Sequence, residues 1–151
     1  MIVLVVNAGS STLKCQLIQT DGKVRLMKCL AERIGDADAV MDVAFAPDFE
    51  KQAFDVAGLS VEQCLEKLLE LLANDPASPI ESLSEIQAIG SRIVAGGEYF
   101  SASVLVDDDA FEKLRLCEEL APLHNPHADA CIALLREKLP TVPQAAVFDT
   151  A

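Results

Sequence analysis

The sequence has few basic residues. Its 151 residues include 12 Lys and Arg against 24 Asp and Glu, so the formal net charge is −12 at neutral pH. A protein that follows a nucleic acid backbone or an anionic membrane needs a basic surface, so this balance argues against both partners. It still allows a small anionic substrate, because a few Lys and Arg side chains can make a local basic site in an acidic protein.

A long apolar run is also missing. The apolar start, Met1 to Val6, is far shorter than the ~20 residues that span a bilayer, and it lacks the basic region and the small-residue cleavage site of a signal peptide. No CxxC occurs, so neither a zinc ribbon nor a disulfide framework is indicated. We therefore expect a cytoplasmic protein whose thiols are reduced and buried as small apolar residues. The five cysteines are Cys15, Cys29, Cys64, Cys117 and Cys131.

Two common phosphate-binding motifs are absent as well, since the sequence has neither GxxxxGK[ST] nor GxGxxG. A different arrangement is present near the start, where the buried strand Ile2 to Val6 runs into a polar turn and then a second strand. The turn begins at Asn7 and contains Ser10 and Thr12, with Lys14 just beyond it. Its Gly would let the backbone approach a phosphate, while N–H groups and hydroxyls surround the oxygens. An ordinary polar hairpin turn is the alternative interpretation.

The hydrophobic pattern predicts one mixed α/β domain. Alternation from Leu13 to Leu17, the hairpin signal Asp21-Gly22 and the run Val24 to Leu30 predict that the sheet opens with a three-strand meander. Segment 35–58 has no clear period, and we expect loops there with one or two short strands. The other predicted elements are a helix from Val61 to Leu72 capped by Ser60 and Gln63, strands at Gln87–Val94, Val104–Val106 and Ala145–Phe148, a helix opened by the acidic triplet 107–109 and running through Cys117, and a helix that begins at Pro126 after Asn125 and ends before Pro140.

Three further segments carry side chains suited to anion chemistry. Arg92 ends a predicted buried strand, where a guanidinium needs an ion-pair partner or an anionic ligand. His124 lies just before a predicted helix N-terminus, which favours anions, although a packing role in a loop is the alternative. Asp149 follows the last strand, where it could hold Mg²⁺ or simply cap a helix. A two-His metal site that includes His127 lacks a clear third ligand.

Taken in order, four motifs resemble those of the acetokinase (acetate kinase) family. They are Asn-x-Gly-Ser-Ser-x-x-Lys from Asn7, Arg-x-Val-x-Gly-Gly-Glu from Arg92, Ala-Pro-Leu-His-Asn-Pro from Ala121 and Val-Phe-Asp-Thr-Ala from Val147. The resemblance covers essentially the whole chain. It implies an actin-like ATPase (ribonuclease H-like) domain with flanking helices. It also implies reversible phosphoryl transfer between ATP and acetate, with Mg²⁺ or Mn²⁺, and a homodimeric full-length parent.

On the phosphate side, the resemblance assigns Asn7 to a loop that positions phosphate and Mg²⁺. Ser10, Thr12 and Lys14 belong to the same loop. Phosphoryl transfer depends mainly on positioning and charge stabilisation, so polar and cationic groups of this kind suit it.

On the acyl side, the resemblance assigns Arg92 to the carboxylate or acyl phosphate and His124 to the transferring phosphoryl group. Asp149 corresponds to a catalytic residue that works with the metal and orients acetate. Val94 and Leu123 would line the pocket for the acetyl methyl group. Acetate is already ionised at neutral pH, so no strong general base is required.

The sequence departs from the family pattern at three positions, because Ser91 and Ala95 stand where His is usual and Ala128 stands where Asn is usual. The first two changes bring the packing around Arg92 into question. The resemblance also implies that residues 1–151 correspond to an N-terminal domain and that a second, nucleotide-binding domain is absent from this sequence. We therefore expect little turnover from this chain alone. Alternative functions are a propionate or butyrate kinase and a non-catalytic fragment that binds an anion or a partner.

Overall fold

The computed structural model describes residues 1–93, 104–105, 107 and 126–148. The described strands are β1 (Ile2–Ala8), β2 (Leu13–Gln19), β3 (Val24–Glu32), β4 (Val40–Phe45), β5 (Glu50–Asp55), β6 (Ala88–Ile93), β7 (Val104–Leu105) and β8 (Gln144–Phe148). They form a single sheet in the order β5-β4-β3-β2-β1-β6-β8-β7. Strands β1, β6 and β8 are parallel to one another, and the other neighbouring pairs are antiparallel, so the predicted mixed α/β class is confirmed.

The predicted three-strand opening is also confirmed. Strands β1, β2 and β3 form an antiparallel meander, and Leu4, Leu17 and Met27 lie side by side across it. All three are fully buried on the same face. The β2–β3 turn contains Gly22 at φ +80°, a conformation that Gly adopts without steric cost. Alternating apolar side chains therefore fix which face of the meander meets the core.

Two helices pack on that face: α1 (Val61–Asn74) and α2 (Pro126–Lys138). The capping box predicted for α1 is present, since the Gln63 N–H donates to Ser60 Oγ at 3.2 Å and the Ser60 N–H donates to Gln63 Oε1 at 2.9 Å. A salt bridge of 3.5 Å between Lys138 Nζ and Glu66 Oε2 links the two helices. Helix α2 begins at Pro126 as predicted. Within the described ranges, neither helix is long and apolar enough to cross a membrane.

Four of the five cysteines are described, and all four are buried free thiols, as predicted. Cys15 and Cys29 are direct neighbours on strands β2 and β3, Cys64 lies on α1, and Cys131 lies on α2. Burial raises the pKa of the Cys29 and Cys131 thiols to about 12. The thiolate is the reactive form of cysteine, and a thiol with a raised pKa stays protonated at neutral pH. These two thiols therefore act as small, unreactive core residues. Cys117 lies outside the described residues.

Segment 35–58 contains the two antiparallel strands β4 and β5, where we expected loops with one or two short strands. Neither strand shows the clear two-residue alternation that marks a half-buried strand. In β4 the consecutive residues Val43, Ala44 and Phe45 are all buried, and β5 is a largely polar edge strand. The helix predicted from the acidic triplet lies outside the described residues, apart from Asp107, which belongs to no regular element.

The two faces of the sheet differ sharply. We call the face that packs against α1 and α2 the covered face, and it includes Leu4, Val6 and Ala8 of β1. The opposite face, which includes Val5 and Asn7 of β1, carries no helix among the described residues, and we call it the open face. Val6 is 2% exposed and its neighbour Val5 is 38% exposed. Alternation along each strand therefore sends adjacent residues into different environments.

Candidate functional site

Three of the predicted site residues lie side by side on adjacent strands. Asn7 on β1 pairs with Lys14 on β2 and with Arg92 on β6. Paired positions on neighbouring strands are about 5 Å apart, so the three side chains can reach a single small anion. We call Lys14, Asn7 and Arg92 the phosphate row.

The phosphate row lies on the open face, at the edge of the sheet where the parallel strands β1 and β6 end. Asn7 is half-buried, and Lys14 and Arg92 are exposed. The neighbours of Asn7, Val6 and Ala8, are buried on the covered face. Carboxyl ends of parallel strands are the usual position of ligand sites in α/β sheets. Two cations and one amide thus face the solvent at that edge.

The turn after β1 holds hydroxyl groups next to this row. The Gly9 N–H donates to the Thr12 carbonyl at 2.9 Å, and the Ile34 N–H donates to the Ser11 carbonyl at 2.9 Å. A Cβ atom at Gly9 would lie 2.7 Å from Thr12 Oγ1, so a larger residue would displace that hydroxyl. Ser10 and Thr12 are exposed. The hydroxyls of Ser10 and Thr12 are therefore accessible from solvent, and a phosphate role for this turn stays a prediction.

Ser91, the first departure from the family pattern, does not share a face with Arg92. Its side chain points to the covered face, between Val6 and Ala146 in the register. It is 4% exposed, and Ser91 Oγ has no hydrogen-bond partner within the described part of the chain. The substitution therefore bears on the packing beneath the strand, and its side chain is not placed to touch an anion held by Arg92. Ala128 is likewise buried, in the first turn of α2.

The remaining predicted site residues, Val94, Leu123, His124 and Asp149, lie outside the described residues, as does Ala95. Their positions stay predictions. The strand that leads to Asp149 is described: β8 runs parallel to β6, and Phe148 pairs with Ile93. That register makes β8 end at the same edge of the sheet as the phosphate row.

Metal ligands are sparse in the described part of the chain. No group of three or more His, Cys, Asp or Glu residues is arranged there to hold a metal ion. His127 is half-buried in the first turn of α2. The amide oxygen of Asn7 is the ligand atom that the phosphate row itself could offer to a hard cation.

Sequence reasoning missed two features of the described structure. Three more cations, Arg25, Lys28 and Lys51, lie on the open face with Lys14, but only the strand pairing reveals that they are neighbours. Asp129 is 4% exposed, although it is an acid. Its spacing from Ile132 on the apolar side of α2 was the available signal, and a position in the first turn suits a negative charge.

Comparisons with known proteins identify the family of this chain. The acetokinase family profile matches residues 2–151. The acetate kinase of Oceanobacillus iheyensis is 44% identical over 149 residues, which cover 99% of this chain and 36% of that protein. The acetate kinase of Caldanaerobacter subterraneus subsp. tengcongensis is 42% identical over 151 residues, which cover 100% of this chain and 37% of that protein. The chain thus spans little more than a third of the length of these relatives.

Solved structures give the same result for the fold. The crystal structure of Porphyromonas gingivalis acetate kinase superposes with a TM-score of 0.86 at 34% identity, over 99% of this chain and 37% of that one. A propionate kinase from Francisella tularensis superposes with a TM-score of 0.84 at 37% identity, again over 99% and 37% of the two chains. The sequence match extends over essentially every residue, and the described fold is shared. The chain therefore belongs to the acetokinase family and corresponds to the N-terminal part of its members.

Proposed function

We propose that this chain forms the acyl-phosphate side of an acetate kinase, an enzyme that moves a phosphoryl group reversibly between ATP and acetate. The observation that carries the proposal is the phosphate row beside the turn at residues 9–12. Lys14 and Arg92 supply positive charge at one edge of the sheet, and Asn7 supplies an amide between them. The relatives' printed name, acetate kinase, supports the choice of substrates.

The proposed reaction needs little covalent help from the protein. An oxygen of the acetate carboxylate forms a bond to the γ-phosphorus of ATP, and the bond from that phosphorus to the β–γ bridging oxygen breaks. ADP leaves with the electron pair of the broken bond. A carboxylate is ionised well below neutral pH, so acetate needs no general base. The task of the chain is to position the reactants and to offset negative charge.

We assign the charge stabilisation to three side chains. Arg92 would hold the carboxylate or acyl phosphate through two parallel hydrogen bonds, which a planar guanidinium can make. Lys14 would act as a point charge on the phosphate, and His124 would donate a hydrogen bond to the transferring phosphoryl group. Val94 and Leu123 would enclose the methyl group of acetate.

Mg²⁺ is the proposed metal, with Mn²⁺ as the alternative. Mg²⁺ usually takes only one or two ligands from protein and the others from substrate phosphates and water. Asn7 fits such a minor role from the phosphate row, and Asp149 would add a carboxylate that also orients acetate. When bound, the metal would neutralise charge on the nucleotide phosphates.

We further propose that a second domain, beyond the part of the relatives that this chain matches, supplies the nucleotide site and much of the contact between the subunits of a homodimer. The proposal is supported by coverage, since the matched part is 36–37% of each relative. A cytoplasmic location fits the four buried, unbridged thiols of the described chain.

A propionate kinase is the second candidate, because the Francisella tularensis structure of that name is 37% identical to this chain. One methylene in an apolar pocket changes specificity by only about 1–3 kcal/mol. Val94 and Leu123, which we assign to that pocket, therefore cannot decide the substrate. Rates of the longer version of the protein with acetate, propionate and butyrate, measured under one set of conditions, would show which carboxylate is the preferred substrate.

The proposal is tested by a hydroxamate assay for acetyl phosphate with ATP, Mg²⁺ and acetate. Two proteins are compared: this chain, and a longer version completed with the remaining part of the Oceanobacillus iheyensis relative. We expect acetyl phosphate from the longer version and little from this chain alone. A longer version that folds but makes no acetyl phosphate would contradict the proposal and favour a non-catalytic anion-binding role.

A further inference from the structure

A groove on the open face concentrates positive charge in an acidic protein. It has a volume of about 320 Å³ and crosses strands β2 to β5. Its lining includes Lys14, Arg25, Lys28 and Lys51, whereas Asp42 is its one acidic residue. This charge stands out because the whole chain has a formal net charge of −12. We call the groove lined by these four cations the basic groove.

The shape of the groove follows from the register. Ala44 on β4 lies between Lys28 on β3 and Lys51 on β5. A small residue between two long ones leaves a notch, and Ala44 is 3% exposed at its base. Neighbouring strands are about 5 Å apart, so the Cα atoms of the two lysines are about 10 Å apart across the notch. Leu30, which is 37% exposed, provides apolar floor beside it.

The cations differ in their existing partners. Lys51 Nζ lies 3.8 Å from Asp42 Oδ2, and Lys28 Nζ lies 5.7 Å from the centre of the Phe49 ring. Arg25 and Lys14 make no salt bridge with any described residue, and both are exposed. At least two cations are therefore available to a ligand without first breaking an ion pair.

We propose that the basic groove binds a small extended polyanion, such as a chain of two or three linked phosphate groups. Its volume lies within the range of about 300–1,000 Å³ that is typical of small-molecule sites. Lys14 and Lys51 are separated by three strand spacings, about 15 Å between Cα atoms, which a single phosphate cannot bridge. The spacing therefore selects a longer ligand over orthophosphate. This site goes beyond the proposed function, although Lys14 borders both the groove and the phosphate row.

The test measures binding of inorganic tripolyphosphate and orthophosphate to the 151-residue chain by isothermal titration calorimetry. We expect tripolyphosphate to bind at least tenfold more tightly than orthophosphate, with affinity that falls as salt rises. The double variant Lys28→Gln/Lys51→Gln should weaken tripolyphosphate binding at least tenfold. The control Lys67→Gln/Lys138→Gln changes the net charge equally on the helices of the covered face, and it should change affinity less than twofold.

A third variant separates this site from the phosphate row. Arg92→Ala should leave tripolyphosphate affinity within threefold of the parent. If Arg92→Ala alone abolishes binding, the ligand belongs to the phosphate row and the basic groove is refuted. Equal losses of tripolyphosphate affinity in the groove variant and its control would mean that net charge alone causes the binding, which would overturn the proposal. Absence of binding at millimolar tripolyphosphate would also overturn it. Should Lys28→Gln/Lys51→Gln fail to fold by circular dichroism, Arg25→Gln takes its place with the same expected direction.

Discussion

The covered and open faces of the sheet are made by the same strands, yet they have different roles. On β6, Ser91 points to the covered face and is 4% exposed, whereas Arg92 points to the open face and is exposed. On β2, Cys15 is buried and Lys14 is exposed. The covered face holds the apolar core and the four described thiols, and the open face holds Lys14 and Arg92. Alternation thus lets one strand contribute to stability and to anion binding through neighbouring residues.

The largest expected effect compares Arg92 with Ser91. In the longer version of the protein, Arg92→Ala should lower kcat/KM for acetate about 1,000-fold, which corresponds to about 4 kcal/mol, because a preorganised cation is lost from the transition state. Ser91→Ala should change kcat/KM less than threefold, because its side chain lies on the other face. The hydroxamate assay measures both. Similar losses in the two variants would show that the faces are not separate.

The next prediction concerns the covered face and the pH dependence of the free energy of unfolding. Burial raises the pKa of the Cys29 and Cys131 thiols from 9.0 to about 12 in the folded state. Between pH 9 and 12 the unfolded chain releases these protons and the folded chain keeps them, so stability is complete below pH 9 and falls as pH rises. Each thiol should cost about 1.4 kcal/mol by pH 10, or about 3 kcal/mol for the pair.

Urea unfolding at pH 8 and pH 10 measures this loss. The double variant Cys29→Ala/Cys131→Ala is the control, because it keeps all other titrating groups. Its loss of stability over the same interval should be smaller by about 3 kcal/mol, the amount attributed to the two thiols. An identical pH dependence in parent and variant would mean that the thiols are not protonated and buried as described.

A smaller effect compares two adjacent valines. Val6→Ala should lower the free energy of unfolding by about 2 kcal/mol, since it removes buried apolar groups and leaves a cavity. Val5→Ala, on the open face, should cost less than about 0.5 kcal/mol. Both variants lose the same strand propensity, so urea denaturation isolates burial. Equal costs would indicate that something buries Val5 in solution.

The smallest expected effect concerns the turn between β1 and β2, next to the phosphate row. Gly9→Ala places a Cβ atom 2.7 Å from Thr12 Oγ1 and should displace that hydroxyl. We expect acetyl phosphate to bind about tenfold more weakly, which corresponds to about 1.4 kcal/mol. The free energy of unfolding should change by less than about 1 kcal/mol. Thr12→Val, which lacks the hydroxyl, should reproduce the loss of affinity, and unchanged affinity in both variants would exclude the hydroxyl from the site.

Much of the fold was readable from the sequence because the signals were local. The β1–β3 meander followed from two-residue alternation and Asp21-Gly22, and helix α1 followed from its periodicity and the Ser60–Gln63 cap. Strands β4 and β5 were less clear, because consecutive buried residues in one and polar residues in the other obscure alternation. Local pattern fails where burial is set by neighbouring strands.

The candidate site was predicted in a different way. Asn7 and Lys14 came from one motif and Arg92 from another far along the sequence, and the register of β1 with β2 and β6 brings the three together. The basic groove was missed for the same reason, since its other cations, Arg25, Lys28 and Lys51, come from β3 and β5 and belong to no motif. The roles of His124 and Asp149 still depend on the family resemblance.

The most direct test of anion binding at the phosphate row is a titration of the ¹⁵N-labelled 151-residue chain with acetyl phosphate, followed by amide NMR shifts. We expect saturable shifts at Asn7, Lys14 and Arg92 and in the turn at residues 9–12, and loss of these shifts in Arg92→Ala. Saturable shifts that avoid the phosphate row, or shifts that persist unchanged in Arg92→Ala, would contradict binding at the phosphate row.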